Sequence, residues 1–207
     1  MPAPDPARRN ERSRRAILDA TRALLAETGY ADLTVGAIAA RAGAGKQTIY
    51  RWWGGKSAVV LDALVDTVAA EGMTLPDSGD LRADLRLVLR ATVAEFADPV
   101  LSATTRALTI ETLIDDELAV QVRDRLLRPQ LDAVKDRLRA GQRAGDVRTG
   151  VDLDQAVELI FGPLYHRWLL RTGPLTEEYA DGLVDLVMTA LRRGNGRAAD
   201  DDERRGS

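Results

Sequence analysis

Apolar and polar positions along this chain fall into helical periods almost from end to end. Ile17, Ala20, Leu24 and Leu25 share one face of a helix predicted over 11–28, which Gly29 stops. Val35, Ile38 and Ala39 repeat the spacing over a shorter stretch behind Thr34, whose hydroxyl suits a helix N-cap. Ala42-Gly43-Ala44-Gly45 interrupts that stretch, because glycine accepts the left-handed backbone that ends helices. A third helix is predicted from about Gly45, with Ile49 and Trp53 free to face inward and Lys46, Gln47, Thr48, Tyr50 and Arg51 polar. After Gly54-Gly55 a fourth starts at Lys56 and carries Val59, Val60, Leu64, Val65 and Val68 to about Glu71.

Residues 72–79, GMTLPDSG, read as a linker. Beyond it, Asp80 precedes a helix with Leu81, Leu85, Val88, Leu89, Thr92 and Phe96 on one side. Asp98-Pro99 opens the next, with Leu101, Leu108 and Leu113. Asp115 or Asp116 opens a long one through Leu118, Val122 and Leu126. Pro129 must kink or divide it, having no N–H and clashing with the preceding turn. The pattern resumes at Leu131, Val134 and Leu138 and stops within 141–150. Two last helices, with Leu153, Val157, Ile160, Phe161, Leu164 and Trp168, then Tyr179, Leu183, Leu186, Val187, Ala190 and Leu191, repeat at close to seven-residue spacing. The short turn at 171–174 makes them antiparallel. No alternating strand pattern of useful length occurs. The expected fold is all-α, a three-helix head on a larger helical body. Its expected divisions are a disordered basic arm over 1–10, a head over 11–72, a body over 80–193 and a disordered tail over 194–207.

An apolar-anchored helix, a glycine-containing turn and a polar second helix are the parts of a helix-turn-helix. Lys46 and Gln47 stand in the first turn of the second helix, the part that meets base edges when such a helix enters a major groove. Gln47 can donate and accept as adenine requires, and Lys46 suits guanine or a phosphate. Thr48 and Tyr50 carry hydroxyls able to donate to phosphate oxygens. Lys56 opens a further helix, whose start favours an anion. A solvated basic surface helix is the plainer alternative, and the joint occurrence of stripe, turn and polar cluster argues against it. A nucleotide-binding loop fails on detail. Ala40 stands where its first glycine belongs, Gln47 where Ser or Thr belongs, and no strand precedes.

Leu33-Thr34-Val35, Ile38-Ala39, Ala42-Gly43, Lys46, Thr48-Ile49-Tyr50, Trp53 and Lys56 together resemble the N-terminal domain of TetR/AcrR-type transcriptional regulators. The resemblance is specific over about 12–72 and architectural beyond. It implies phosphate contacts from Thr34, Tyr50 and Lys56, and positions at or near bases for Gly45, Lys46, Gln47 and Trp52. The chain departs from the family pattern at Gly45 and Gly55, where capping serines are common, and at Gln47, where a small residue is common.

Charge supports this division of labour. The chain of 207 residues has net charge −3, yet through Ser57 ten basic residues face five acidic ones, while the remainder holds nineteen against twenty-seven. A basic head on an acidic body is the layout expected when one end meets phosphate. There is no Cys, so disulfides and thiolate sites are excluded. No apolar run reaches transmembrane length and the N-terminus lacks a signal-peptide core, so the expected location is cytoplasmic, away from membranes.

His166 is the single His, which leaves little for a metal cluster or a Ser/His/Asp site, so no enzyme, metal or cofactor is expected. The resemblance also implies a small-molecule effector held between body helices, with Phe96, Leu113, Leu126, Phe161, Tyr165, His166 and Trp168 as candidate lining. Gly162-Pro163 would interrupt the helix beside them. For each of these residues, packing in the core is the competing reading. The last helix pair suits a self-complementary homodimer interface through Leu153, Val157, Leu164, Leu183, Val187, Ala190 and Leu191, with closure of the protomer's own core as the alternative. The expected function is a repressor released from a palindromic double-stranded operator by an effector. A helical protein-binding module, and then an enzyme using the body cavity, are the alternatives.

Overall fold

The computed structural model describes residues 6–71 and 75–192. Every regular element among them is a helix. Helix α1 (Pro6–Asp32) begins before the apolar pattern does. Residues 6–10, expected as a disordered arm, are therefore helical, and Pro6 explains the start. A proline at the first helical position sacrifices no hydrogen bond and brings its φ preset. Met1–Asp5 of that arm, and the tail beyond Arg192, lie outside the described residues. Near its end α1 breaks at Gly29, whose φ of 73° and ψ of 176° are non-helical.

Short helices come next, with local ends. The Thr34 hydroxyl caps α2 (Val35–Ala42) by accepting from the Ala37 N–H at 3.1 Å, and Gly43, with φ 64°, closes it. Helix α3 (Lys46–Trp53) starts at Gly45 without a side-chain cap. Helix α4 (Lys56–Glu71) completes the set. Ile17, Ile38, Ile49, Val59 and Val60 are all fully buried in one cluster that joins these four helices. Each such side chain contributes about 1.5–3 kcal/mol by leaving water.

In the rest of the chain aspartates begin the helices. Asp80 accepts from the Ala83 N–H at 3.1 Å ahead of α5 (Leu81–Ala97). Asp98 caps α6 (Pro99–Thr112) through the Leu101 N–H at 2.7 Å, and Asp115 caps α7 (Asp116–Val122) through the Leu118 N–H at 2.9 Å. Near Pro129 the helical winding is broken. A π-wound turn, Arg123–Leu127, separates α7 from α8 (Arg128–Ala144), and the Arg128 N–H bonds the Arg123 carbonyl across it. Asp152 caps α9 (Leu153–Leu170), and α10 (Glu177–Arg192) ends the described chain.

The helices fall into two compact units. One is drawn from the chain up to residue 74 and from Glu95–Gln130, the other from Leu75–Ala94 and the chain from Leu131 on. In the first, Leu61 of α4 packs with Leu108 of α6 and Leu118 of α7, and Val122 and Leu126 join them. In the second, a Cβ on Gly141 of α8 would lie 2.8 Å from the Leu81 Cδ2, so these helices meet where only hydrogen fits. Arg137 donates to Asp84 at 2.7 Å, an ion pair closed from water, and Ser78 donates to the same carboxylate through its N–H and hydroxyl. On the surface Arg82, Arg86 and Arg90 of α5 form a ladder with Asp185, Asp181 and Glu177 of α10.

Two expectations for the last helices need correction. Helix α9 runs unbroken through Gly162-Pro163. A proline denies one acceptor, the Leu159 carbonyl, its N–H, and the surrounding turns keep theirs. Of the seven nominated interface residues, Val157, Leu164, Leu183, Val187 and Leu191 are buried inside the protomer. Leu153 is half-buried and Ala190 alone is exposed. Both faces of α9 carry apolar residues, so spacing did not distinguish the inner face from the outer.

Candidate nucleic-acid interface

Ile38 of α2 and Ile49 of α3 are both 0% exposed, and they fix how the two helices cross. With Ile49 inward, Lys46, Gln47, Tyr50 and Arg51 face solvent, and Tyr50 keeps 54% of its surface. Gly45 is exposed beside them and Thr48 is half-buried. The Thr34 hydroxyl accepts from Ala37, which leaves its own proton free to donate outward. Lys46 folds back over α2. A Cβ on Gly36 would stand 3.0 Å from the Lys46 Cε, 3.2 Å from its Nζ and 3.7 Å from the Thr34 Oγ1. The ammonium thus lies over the start of α2, whose N-cap is Thr34, and Gln47 stays exposed in the first turn of α3.

The end of α3 is tied down from below. Trp52 is half-buried against the head's core and meets Trp53 edge-on, ring centroids 5.6 Å apart. The Trp53 Nε1 donates to Asp62 of α4 at 2.8 Å. Asp62 also accepts from Arg14 of α1, at 3.2 Å, and from Arg125 of the π turn. Burial pushes its carboxyl up, but hydrogen bonds from Arg125, Trp53 and Arg14 outweigh that and hold it below the usual range. Asp62 is therefore ionised and fully engaged.

Lys56 is not a free cation at a helix start. Its Nζ donates to the Tyr30 carbonyl at 3.1 Å and sits 4.1 Å from the Tyr30 ring centroid. Those contacts hold it against the end of α1 while other ammonium protons remain for phosphate. Behind it, the hydroxyls of Tyr30 and Ser57 both donate to the Glu111 carboxylate of α6. Burial, and then that carboxylate, push the Tyr30 phenol far above its ordinary value, against a smaller opposing effect of Ser57.

Two family models divide the chain between them. Residues 17–63 match the bacterial regulatory proteins of the tetR family, and residues 75–187 match the tetracyclin repressor-like C-terminal domain. The chain belongs to the TetR family. It is a DNA-binding transcriptional regulator. Among its relatives, the HTH-type transcriptional regulator YdeS of Bacillus subtilis is 34% identical over 89% of this chain and 90% of its own. The DNA-binding transcriptional repressor TetR of Mycobacteroides abscessus is 29% identical over 91% of this chain and 98% of its own. The crystal structure of the TetR-family regulator SCO0332 superposes with a TM-score of 0.76 at 30% identity, covering 86% of this chain and 98% of that one.

The structure groups Thr34, Gly45, Lys46, Gln47, Thr48, Tyr50 and Trp52 on α3 or at the start of α2, with Lys56 turned toward α1. Asp62, Gly36 and Glu111 were missed in the sequence, since a carboxylate inside an apolar helix stripe is the one visible sign, and only for Asp62. The effector candidates fare less evenly. Phe96 and Trp168 are buried, while Leu126, Phe161 and Tyr165 are half-buried. Leu113 is 76% exposed, because α6 has already ended there and the chain turns toward the Asp115 cap. His166 is also exposed, on the outer face of α9. Neither lines an interior site in this structure. Among the described residues, no helix is long and apolar enough to cross a membrane.

Proposed function

We propose that this regulator is a homodimeric repressor, released from a partly palindromic operator when a small-molecule effector occupies the body, and that it works in the cytoplasm where its DNA lies. The observation that carries the reading is the exposed polar turn Lys46, Gln47, Tyr50 and Arg51 on a helix anchored by fully buried Ile49. Residues 11–72 supply the DNA-reading part and 80–193 the body. Two copies of α3 entering successive major grooves require half-sites about one helical turn apart, or a multiple of that.

The dimer face is redrawn from exposure. Leu159, His166 and Leu170 on α9 and Gly182, Leu186 and Ala190 on α10 recur at helical spacing and face outward. Support for an effector comes from Thr104 of α6, which is 2% exposed with a hydroxyl that finds no hydrogen-bond partner. A buried hydroxyl left so can take a hydrogen bond from a polar ligand group or from an ordered water. An effector acts by favouring a body arrangement in which the heads no longer match the operator spacing, and α4 is the lever between the two.

Selection from a random pool of duplexes tests the reading. The wild-type chain should enrich a two-fold related sequence, with affinity falling steeply as salt rises. Tyr50→Phe should weaken binding to all duplexes, while Gln47→Ala should alter the base preferred at one position per half-site, by about 1–3 kcal/mol. Enrichment without symmetry would sink the dimeric-operator reading, and an unchanged preference in Gln47→Ala would remove its reading role.

A further inference from the structure

The π turn Arg123–Leu127 lies far along the chain from the recognition helix, yet one carboxylate links them. Asp62 is 7% exposed and divides its oxygens. The Oδ1 takes the Arg125 guanidinium, and the Oδ2 takes the Trp53 indole N–H at 2.8 Å and Arg14 at 3.2 Å. Trp53 is the last residue of α3, immediately before the Gly54 that closes it. Helices α1, α3 and α4 and the π turn therefore meet at a single buried acceptor.

That geometry depends on the wide turn. The i→i+5 bond from the Arg128 N–H to the Arg123 carbonyl accommodates an extra residue ahead of Pro129. A π turn alters the phase of the helix around it, so Arg125 would leave Asp62 if the segment rewound as regular α-helix. Val122 and Leu126, packed on Leu61, Leu108 and Leu118, hold the turn against α4. Severing Arg125 leaves the Asp62 Oδ1 without its guanidinium and the Arg14 contact at 3.2 Å to offset the buried charge, and a carboxylate so placed loosens the bonds it keeps or draws in water.

We propose that Arg125 is a positioning residue for DNA binding, acting through Asp62 on Trp53 to hold the carboxyl end of α3. The segment 123–127 thereby reaches the recognition helix through one side chain of α4, in addition to any tilt of α4 as a whole. The inference rests on the DNA-binding activity and not on the identity, or the existence, of an effector.

The test uses the full chain without any added small molecule and the duplex that the wild-type chain itself selects from a random pool. Arg125→Ala should bind that duplex roughly tenfold more weakly, the scale of coupling expected among groups that share one hydrogen-bonded charge network. The slope of affinity against salt should stay as in the wild type, because no phosphate contact is removed. The Trp53 indole proton should exchange faster with solvent in the free protein. Arg125→Lys, which keeps a charged donor in reach, should recover part of both effects. Wild-type affinity in Arg125→Ala, a protected Trp53 indole proton, or an affinity loss accompanied by a shallower salt slope would each overturn the proposal, the last by making Arg125 a direct phosphate contact. A wild-type chain that selects no duplex would instead overturn the operator reading.

Discussion

A missing side chain on α2, at Gly36, decides where the Lys46 cation goes. Gly36 leaves the space over which the Lys46 stem lies, and a Cβ there would press on its Cε at 3.0 Å. Lys46→Ala should weaken binding to every duplex alike and lower the salt slope by about one. Gly36→Ala should reproduce part of that loss by displacing a flexible chain end, and the double variant should bind no more weakly than Lys46→Ala. Additive losses in the double variant would show that Gly36 acts otherwise. At this scale the sequence was legible wherever neighbours are local, as with the Thr34 cap and the exposure of Gln47 and Tyr50. It was not legible for Asp62 and Tyr30. Asp62 finds Arg14 and Arg125 at separations of 48 and 63 residues, and Tyr30 finds Glu111 at 81. No periodicity encodes such pairs.

Among the helices, caps and breaks were the legible parts. Asp80, Asp98, Asp115 and Asp152 each stand one residue ahead of a helix, and Pro129 announced an interruption whose form, a π turn, depends on how the surrounding turns satisfy their carbonyls. Close approach was invisible, since Gly141 read as a place where the helical pattern stops, whereas α8 carries it inside and runs on to Ala144. Gly141→Ala would put a methyl 2.8 Å from the Leu81 Cδ2 and 3.2 Å from the Val147 Cγ2, and Leu81 is itself 1% exposed with nowhere to retreat. Better intrinsic helix propensity should not offset that crowding. We expect Gly141→Ala to lower unfolding stability by about 1–3 kcal/mol, read from the denaturant midpoint. A variant as stable as the wild type would mean that α5 and α8 part more easily than their packing implies.

For the molecule as a whole, the fold class, the basic head and the family were all legible, because they rest on patterns repeated over many residues. The face proposed for a second copy was not, because α9 and α10 are apolar on two sides and burial inside the protomer claims one of them. Exposure divides the apolar residues between the protomer's core and the face proposed for a second copy. Leu186 is 72% exposed and Val187 is 2% exposed, adjacent on α10. Leu186→Glu should leave the helical content and melting unchanged while shifting the sedimenting species from dimer to monomer and weakening operator binding. Val187→Glu should unfold the protomer instead, since a carboxylate would be buried without a partner. A Leu186→Glu chain that still sediments as a dimer would place the interface elsewhere.

Two of the three tryptophans stand side by side at the end of the recognition helix, and the third, Trp168, belongs to α9. In a Trp168→Phe chain, all indole emission would come from Trp52 and Trp53. The regulator would then carry its own optical probe at the place where it meets DNA, with no dye attached.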